Sequence, residues 1–278
     1  MSSLKMLAAA GAASLTFATA HAADLAPIGP IGPLPIPVAQ EFSGWYLRGD
    51  IGMSNQNLKS LDNPDPNAQG FSSAGLGFDS ASIFGVGVGY QFNNWLRFDA
   101  TGEWRGKANF HGSQYMSGPG FALADNYSGS KSESLFLANF YVDLGTWWCI
   151  TPFVGAGIGA SYNRISGFRD DGVNTYQGTA QPGSVTYAAD NGTWNFAWDV
   201  TAGLAYKVTP GFTVELAYRY VSLGSATTGL PNVAFDASFT PPQYAWTMKN
   251  ITSNDVMLGV RWMLWEPPPP VAPLVRKG

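Results

Sequence analysis

The chain has 278 residues, 33 of them glycine, with 14% aromatic residues, only 12% charged ones and a formal charge of −4. That composition is too apolar for a disordered polar chain, and mild acidity without a basic patch excludes nucleic acid as an implied partner. The single cysteine, Cys149, excludes an internal disulfide and a thiolate metal cluster.

Residues 1–22 read as a signal peptide. Lys5 supplies a positive start, Met6 to Phe17 a short apolar core, and Ala20-His21-Ala22 a small-x-small cleavage site. Residues 23–41 are proline-rich (Pro27, Pro30, Pro33, Pro35, Pro37), as is the tail 266–278 (Pro267 to Pro270, Pro273). Such stretches are extended linkers that cannot enter a sheet interior. The body, 42–265, reads as one domain. Past the signal no run of about 18 apolar residues occurs, which excludes ordinary membrane helices.

Eight strands are predicted in the body, near 43–56, 79–92, 95–110, 133–145, 151–165, 193–208, 211–223 and 247–265. The connections at Asn93-Asn94, Gly145 to Ile150 and Thr209-Pro210-Gly211 are short. Those around 57–78, 111–132, 166–192 and 224–246 are long and rich in Gly, Ser, Asn, Asp and Pro. Short turns on one rim and long loops on the other are the pattern of bacterial outer-membrane barrels, the short side being periplasmic. A ten-strand count would use Val173 to Tyr176 and Val185 to Tyr187 with Gln181-Pro182-Gly183 as their turn. Those segments lack an apolar face of membrane length, about 9–11 residues, and read instead as continuations of the fifth and sixth strands.

Strand side chains alternate between two faces, and Phe212 to Tyr220 shows what alternates here. Phe212, Val214, Leu216, Tyr218 and Tyr220 share one face; Thr213, Glu215, Ala217 and Arg219 share the other. Extended over all strands, this parity puts Arg48, Asp50, Arg97, Asp99, Glu103, Arg105, Asp143, Asp199, Glu215, Arg219 and Arg261 on one side. A buried charge without a partner is costly, so these residues are expected to form a paired network in a lumen. Gly85, Gly87, Gly89 and Gly155, Gly157, Gly159 share the charged face and are expected to make room for arginine side chains. Parity alone does not exclude a soluble barrel with the opposite sense. The glycines on the charged face, the aromatics at strand ends and the nearly uncharged strand centres favour lipid outside. Trp45, Trp95, Trp147, Trp148, Trp262 and Trp265 are the candidate interfacial aromatics. Cys149, following two tryptophans in a tight turn, reads as a small apolar filler.

Three segments resemble the small alphaproteobacterial outer-membrane barrels of the opacity-type and outer-membrane immunogenic protein family. Gly44 to Gly52 (GWYLRGDIG) resembles that family's first strand, Thr151 to Gly159 (TPFVGAGIG) its fifth and Val214 to Gly224 (VELAYRYVSLG) its seventh. The resemblance implies an all-β fold: an eight-stranded antiparallel transmembrane β-barrel with short periplasmic turns and long extracellular loops. It implies a surface-exposed protein, often antigenic or adhesive, without catalysis or cofactor. Its partners would be outer-membrane lipid including lipopolysaccharide, the barrel-assembly machinery, and an extracellular ligand or host surface met by the loops. Barrels of this kind commonly end on an aromatic read during assembly, whereas Trp265 here is followed by residues 266–278.

Three functions are weighed. The leading one is non-enzymatic: envelope integrity and recognition through the loops, with both termini periplasmic. A narrow diffusion pore through the charged lumen is the second, opposed by the small interior of an eight-stranded barrel. The third is a lipid A-modifying enzyme. His111-Gly112-Ser113 gives the H-x-S spacing that puts a base and a nucleophile on one strand face, but no acid is evident to orient the histidine. Asp62, Asp65, Asp170 and Asp171 are loop acids without a calcium-loop cadence.

Overall fold

A computed structural model describes residues 43–63, 70–234 and 244–264. The expected signal peptide, both proline-rich segments, Asp65 and Trp265 lie outside the described residues. The described chain contains β1 (Gly44–Asp62), β2 (Ser72–Phe78), β3 (Ala81–Gln91), β4 (Leu96–Gly118), β5 (Phe121–Asp143) and β6 (Ile150–Tyr176). β7 (Thr179–Ala180), β8 (Ser184–Ala188), β9 (Asn191–Thr209), β10 (Phe212–Thr227), β11 (Pro231–Ala234) and β12 (Thr247–Met263) follow.

Eight of these close a ring in the order β1, β3, β4, β5, β6, β9, β10, β12 and back to β1, every pairing antiparallel. Closure matters because it leaves no strand edge with unpaired backbone groups, which a lipid environment would not tolerate. The rival ten-strand count fails on register. Val185 to Tyr187 lie in β8 opposite Arg169 to Asp171, while Thr175 and Tyr176 pair with β7. β8 pairs on its other side with β11, so these short strands build on the ring without entering it.

The short turns have local causes. The Asn93 side-chain carbonyl accepts from the backbone amides of Trp95 and Leu96 at 3.0 and 2.9 Å, fixing the β3–β4 turn. At the β5–β6 turn, Trp147 and Ile150 exchange backbone hydrogen bonds around Trp148 (φ 49°) and Cys149 (φ 67°). Two successive positive φ values are the hairpin geometry that matches strand twist, usually supplied by Asn-Gly. Cys149 is exposed there, which corrects its expected role as an apolar filler: the turn projects both central side chains outward.

The strands run much further than the sequence patterning suggested. β4, β5 and β6 have 23, 23 and 27 residues, so most of the long loops expected at 111–132 and 166–192 are sheet. The side-chain pattern changes sign along them. On β1 the outward positions are Trp45, Leu47, Ile51 and Met53, then Asn55, Asn57 and Lys59. Its buried positions are Arg48 and Asp50, then Leu58 and Leu61. β12 repeats this, with Trp262 to Val256 outward before Asn254 and Thr252, and Arg261 and Asp255 inward before Ile251 and Met248. On β5 outward Phe140 and Phe136 give way to Ser134, Ser132 and Ser130.

The barrel therefore has two zones. Next to the short turns lies an apolar exterior around a charged interior. Beyond it lies a polar exterior around an apolar interior, the ordinary arrangement for water. The stretch Trp45 to Met53, at about 3.3 Å per residue and about 40° tilt, rises roughly 20 Å between terminal Cα atoms. With its side chains that approaches the apolar band of about 25 Å expected of a membrane barrel. The apolar interior of the second zone centres on Phe168, whose ring lies 6.2 Å from Phe110, 5.7 Å from Tyr127 and 5.1 Å from Trp246. Leu58, Ile165, Leu223, Met248 and Ile251 complete it.

Candidate functional site

The eleven charged residues singled out by parity are all buried inside the ring. They form two layers. In the layer nearer the short turns, Arg48 donates to Asp50 at 2.7 Å, to Asp99 at 3.0 Å and to the Tyr141 hydroxyl at 2.8 Å. The Tyr46 hydroxyl donates to Asp99 at 3.0 Å. Arg97 lies 3.1 Å from Asp143 and 3.3 Å from Glu215, with its guanidinium over the rings of Tyr141 and Phe153. Arg261 reaches Glu215 at 2.6 Å, so one carboxylate serves two strongly held cations.

In the second layer Arg219 grips Glu103 with two hydrogen bonds of 2.6 Å and lies 3.0 Å from Asp255. Arg105 donates twice to Asp255, at 3.1 and 2.6 Å, and sits 2.9 Å from Glu133. Lys131 pairs with Glu133 and donates to Gln56 at 2.9 Å. Forked guanidinium–carboxylate pairs of this kind combine charge with fixed geometry. Asp199 stands apart: its carboxylate accepts from Thr201 at 2.8 Å and forms no ion pair among the described residues.

The network holds residues that sequence reasoning missed. Asp255, Lys131, Glu133, Tyr46 and Tyr141 all belong to it. Asp255 shares parity with Arg261, and Glu133 with Asp143, so following each strand past its apolar stretch would have found both. The glycines also play a different part from the one expected. A β-carbon on Gly89 would enter the Tyr46 ring, one on Gly155 the Tyr141 ring, and one on Gly157 would strike Asn139 and Asp199. Their space is occupied by tyrosine, asparagine and aspartate side chains, not by arginine.

Trp45, Trp95, Trp147, Trp148 and Trp262 are all exposed at the short-turn end. A second set of exposed aromatics marks the other limit of the apolar band. Phe84 stacks with Trp104 at 6.2 Å, Phe136 with Trp194 at 6.2 Å, and Trp198 packs on Tyr220 at 5.7 Å. Two aromatic girdles bounding an apolar belt are the mark of a membrane barrel.

Past the second girdle, Asp170 lies in β6 beside the buried Tyr127 and opposite Thr186 of β8. Burial, with Asp125 and Asp171 adding negative charge, pushes its carboxyl up to about 8. The fold thus favours the protonated acid. Its cost is absent below the unfolded value near 4, develops as pH rises, and is complete above about 8. Asp170→Asn is expected to raise stability at pH 8 by up to about 5 kcal/mol and to leave it unchanged at pH 4. Thermal midpoints of parent and variant at both pH values check this.

His111 and Ser113 lie on the outside of the same zone. Asp79 is 4.0 Å from His111, an acid that the sequence did not reveal, but both side chains are more than half exposed. Ser113 donates to the Ala74 carbonyl, not to His111, so no nucleophile–base bond exists. Asp62 pairs with Lys249 at 2.9 Å and Asp171 with Arg169 at 2.5 Å.

A closed eight-stranded ring with this polarity calls for comparison with known proteins. The family model described as outer membrane protein beta-barrel domain matches residues 10–262. The chain belongs to that family. An uncharacterized protein of Brucella abortus is 31% identical over 213 residues, covering 68% of this chain and 70% of its own. A putative adhesin of Rickettsia bellii is 32% identical over 196 residues, covering 68% and 76%. Outer membrane protein PagN of Salmonella typhimurium is 24% identical over 234 residues, covering 79% and 89%. Family membership agrees with the resemblance carried by the first, fifth and seventh strands of the sequence reading. Within an outer-membrane barrel of this family, the apolar belt is the lipid-facing surface and the two ionic layers lie inside the membrane.

Proposed function

We propose that this barrel is a sealed, non-enzymatic surface protein that works through the zone projecting beyond the membrane. The carrying observation is the filled interior: two ionic layers followed by the Phe168-centred apolar core. A barrel so filled offers its environment only its outer surfaces. The short turns and both termini are periplasmic on this reading, and the long strand extensions extracellular. The Rickettsia bellii relative named a putative adhesin supports a recognition role. Lipopolysaccharide would contact the outer girdle, and the final strand with Trp262 would meet the assembly machinery. Deleting the protein from its host is expected to reduce adherence to host-cell monolayers at least several-fold while leaving bulk permeability to small solutes unchanged. Unchanged adherence would overturn the recognition role.

The lumen charges named above, Asp199 apart, are closed into ion pairs, which weighs against the pore reading. An enzyme built on His111 and Ser113 lacks the bond joining base to nucleophile. His111→Ala and Ser113→Ala are expected to leave the lipid A of the native host unchanged by mass spectrometry, and a lost or gained acyl chain would restore the enzymatic reading.

A further inference from the structure

The strands of β4, β5 and β6 continue past the Phe168 core into a sheet exposed on both sides. On the face continuous with the interior lie Met116, Phe121, Leu123 and Tyr176, set by the registers Met116↔Leu123 and Phe121↔Tyr176. Phe121 and Tyr176 are 36% and 58% exposed, although their face leads directly down to the buried Tyr127. The Phe121 ring lies across Gly118, so it is held at the tip. A contiguous apolar patch on an extended sheet in water marks a contact surface.

At the foot of that patch is an acid with no ion pair among the described residues. The register places Asp170 beside Tyr127, with Asp125 on the same face of β5, one pair further along. Oδ1 of Asp170 is buried and has no hydrogen-bond partner among the described residues. Among the described residues, the groups facing it from the surrounding strands are Tyr127 and Asp125 of β5, Gln114 of β4 and Thr186 of β8, none of them cationic. The Tyr127 hydroxyl is turned to Gln114, to which it donates at 3.0 Å. The nearest arginine in sequence, Arg169, is on the opposite face and bound to Asp171. A buried carboxylate under an apolar patch complements a cation carried on an apolar or aromatic segment, whereas a polyanion would be repelled.

We propose that this mouth, formed by Phe121, Leu123, Tyr176 and Asp170, is a docking site for a basic, aromatic-bearing peptide segment of a partner protein. The proposal rests on the extracellular placement of this zone. Arrival of a lysine or arginine supplies the missing counter-ion while the patch covers the apolar side chains. The raised carboxyl of Asp170 adds a pH dependence: binding tightens as pH rises from 6 to 9 and the carboxylate forms.

The test uses the barrel in phosphatidylcholine nanodiscs and two fluorescein-labelled pentapeptides, Lys-Tyr-Lys-Tyr-Lys and Glu-Tyr-Glu-Tyr-Glu, followed by anisotropy against empty discs. The basic peptide is expected to bind saturably and the acidic one not at all. Asp170→Asn and Phe121→Ser should each weaken binding at least tenfold, with unchanged circular dichroism, and Asp190→Asn on the outer surface should have no effect. Equal binding of both peptides, or parent-like binding by Asp170→Asn, overturns the site. Host-cell adherence that is lost on deletion of the protein but kept by Asp170→Asn would overturn the mouth while leaving the surface role standing.

Discussion

Asp255→Ala is expected to destabilise the folded barrel by about 3–5 kcal/mol, the usual cost of removing one partner from a buried ionic cluster. Asp255 holds Arg105 with two hydrogen bonds and Arg219 with two more, and Ser253 donates to it at 2.5 Å. Truncation removes the carboxylate the two guanidiniums share, leaving Arg105 with Glu133 at 2.9 Å and Glu103 at 3.6 Å, and Arg219 with Glu103. Asp255→Asn should cost less, because the amide oxygen still accepts hydrogen bonds although the charge is lost. Urea unfolding in lipid vesicles, with far-ultraviolet circular dichroism as readout, measures both. Equal stability of parent and Asp255→Ala would mean that the second ionic layer carries little of the fold.

Gly159→Ala should be the most disruptive methyl group that can be added to the barrel. The new β-carbon would be driven into the backbone carbonyl of Phe136 on the neighbouring strand, which cannot move aside as a side-chain tip can. Strand separation there is expected to cost about 3 kcal/mol or more. Gly102→Ala supplies the contrast. Its β-carbon would point to the lipid side and meet the Phe136 ring at 3.5 Å, an ordinary contact. Removing glycine flexibility there should be neutral or stabilising by about 0.5–1 kcal/mol. Paired unfolding curves that fail to separate the two variants would contradict the assigned faces.

The ring was legible because lipid forces a strong alternation. Wherever Trp45, Leu47 and Ile51 alternate with Arg48 and Asp50, no other two-faced strand gives that pattern with glycine on the charged side. The extension was not legible for a physical reason: beyond Met53, Ser82 and Ser134 the outside is water, so the apolar face moves inward. Serine, asparagine and glycine on the outside then resemble loop composition. Two irregularities hid the rest. β4 inserts an extra residue between Arg105 and Ala108, and β6 does so near Gly167, whose φ is 60°. Each bulge flips parity, so a pattern carried at fixed period two loses register where the extension begins. Lys131 escaped notice for a simpler reason: it keeps the parity of Glu133 and Asp143 but lies just outside the span 133–145 predicted for its strand. Asp199 was placed on the correct face by parity, but its lack of an ion pair depends on distances across the ring, which no strand-by-strand pattern contains.

The sealed interior is the claim on which the account turns, and planar-bilayer recording tests it most directly. Purified barrel inserted into a bilayer is expected to show no steady conductance. The single variants Arg105→Ala and Glu215→Ala should stay silent too, because the Phe110, Phe168 and Trp246 rings still close the second zone. Steady, ion-selective steps from the parent protein, altered by either substitution, would show a continuous water path through the charged layers and contradict the account.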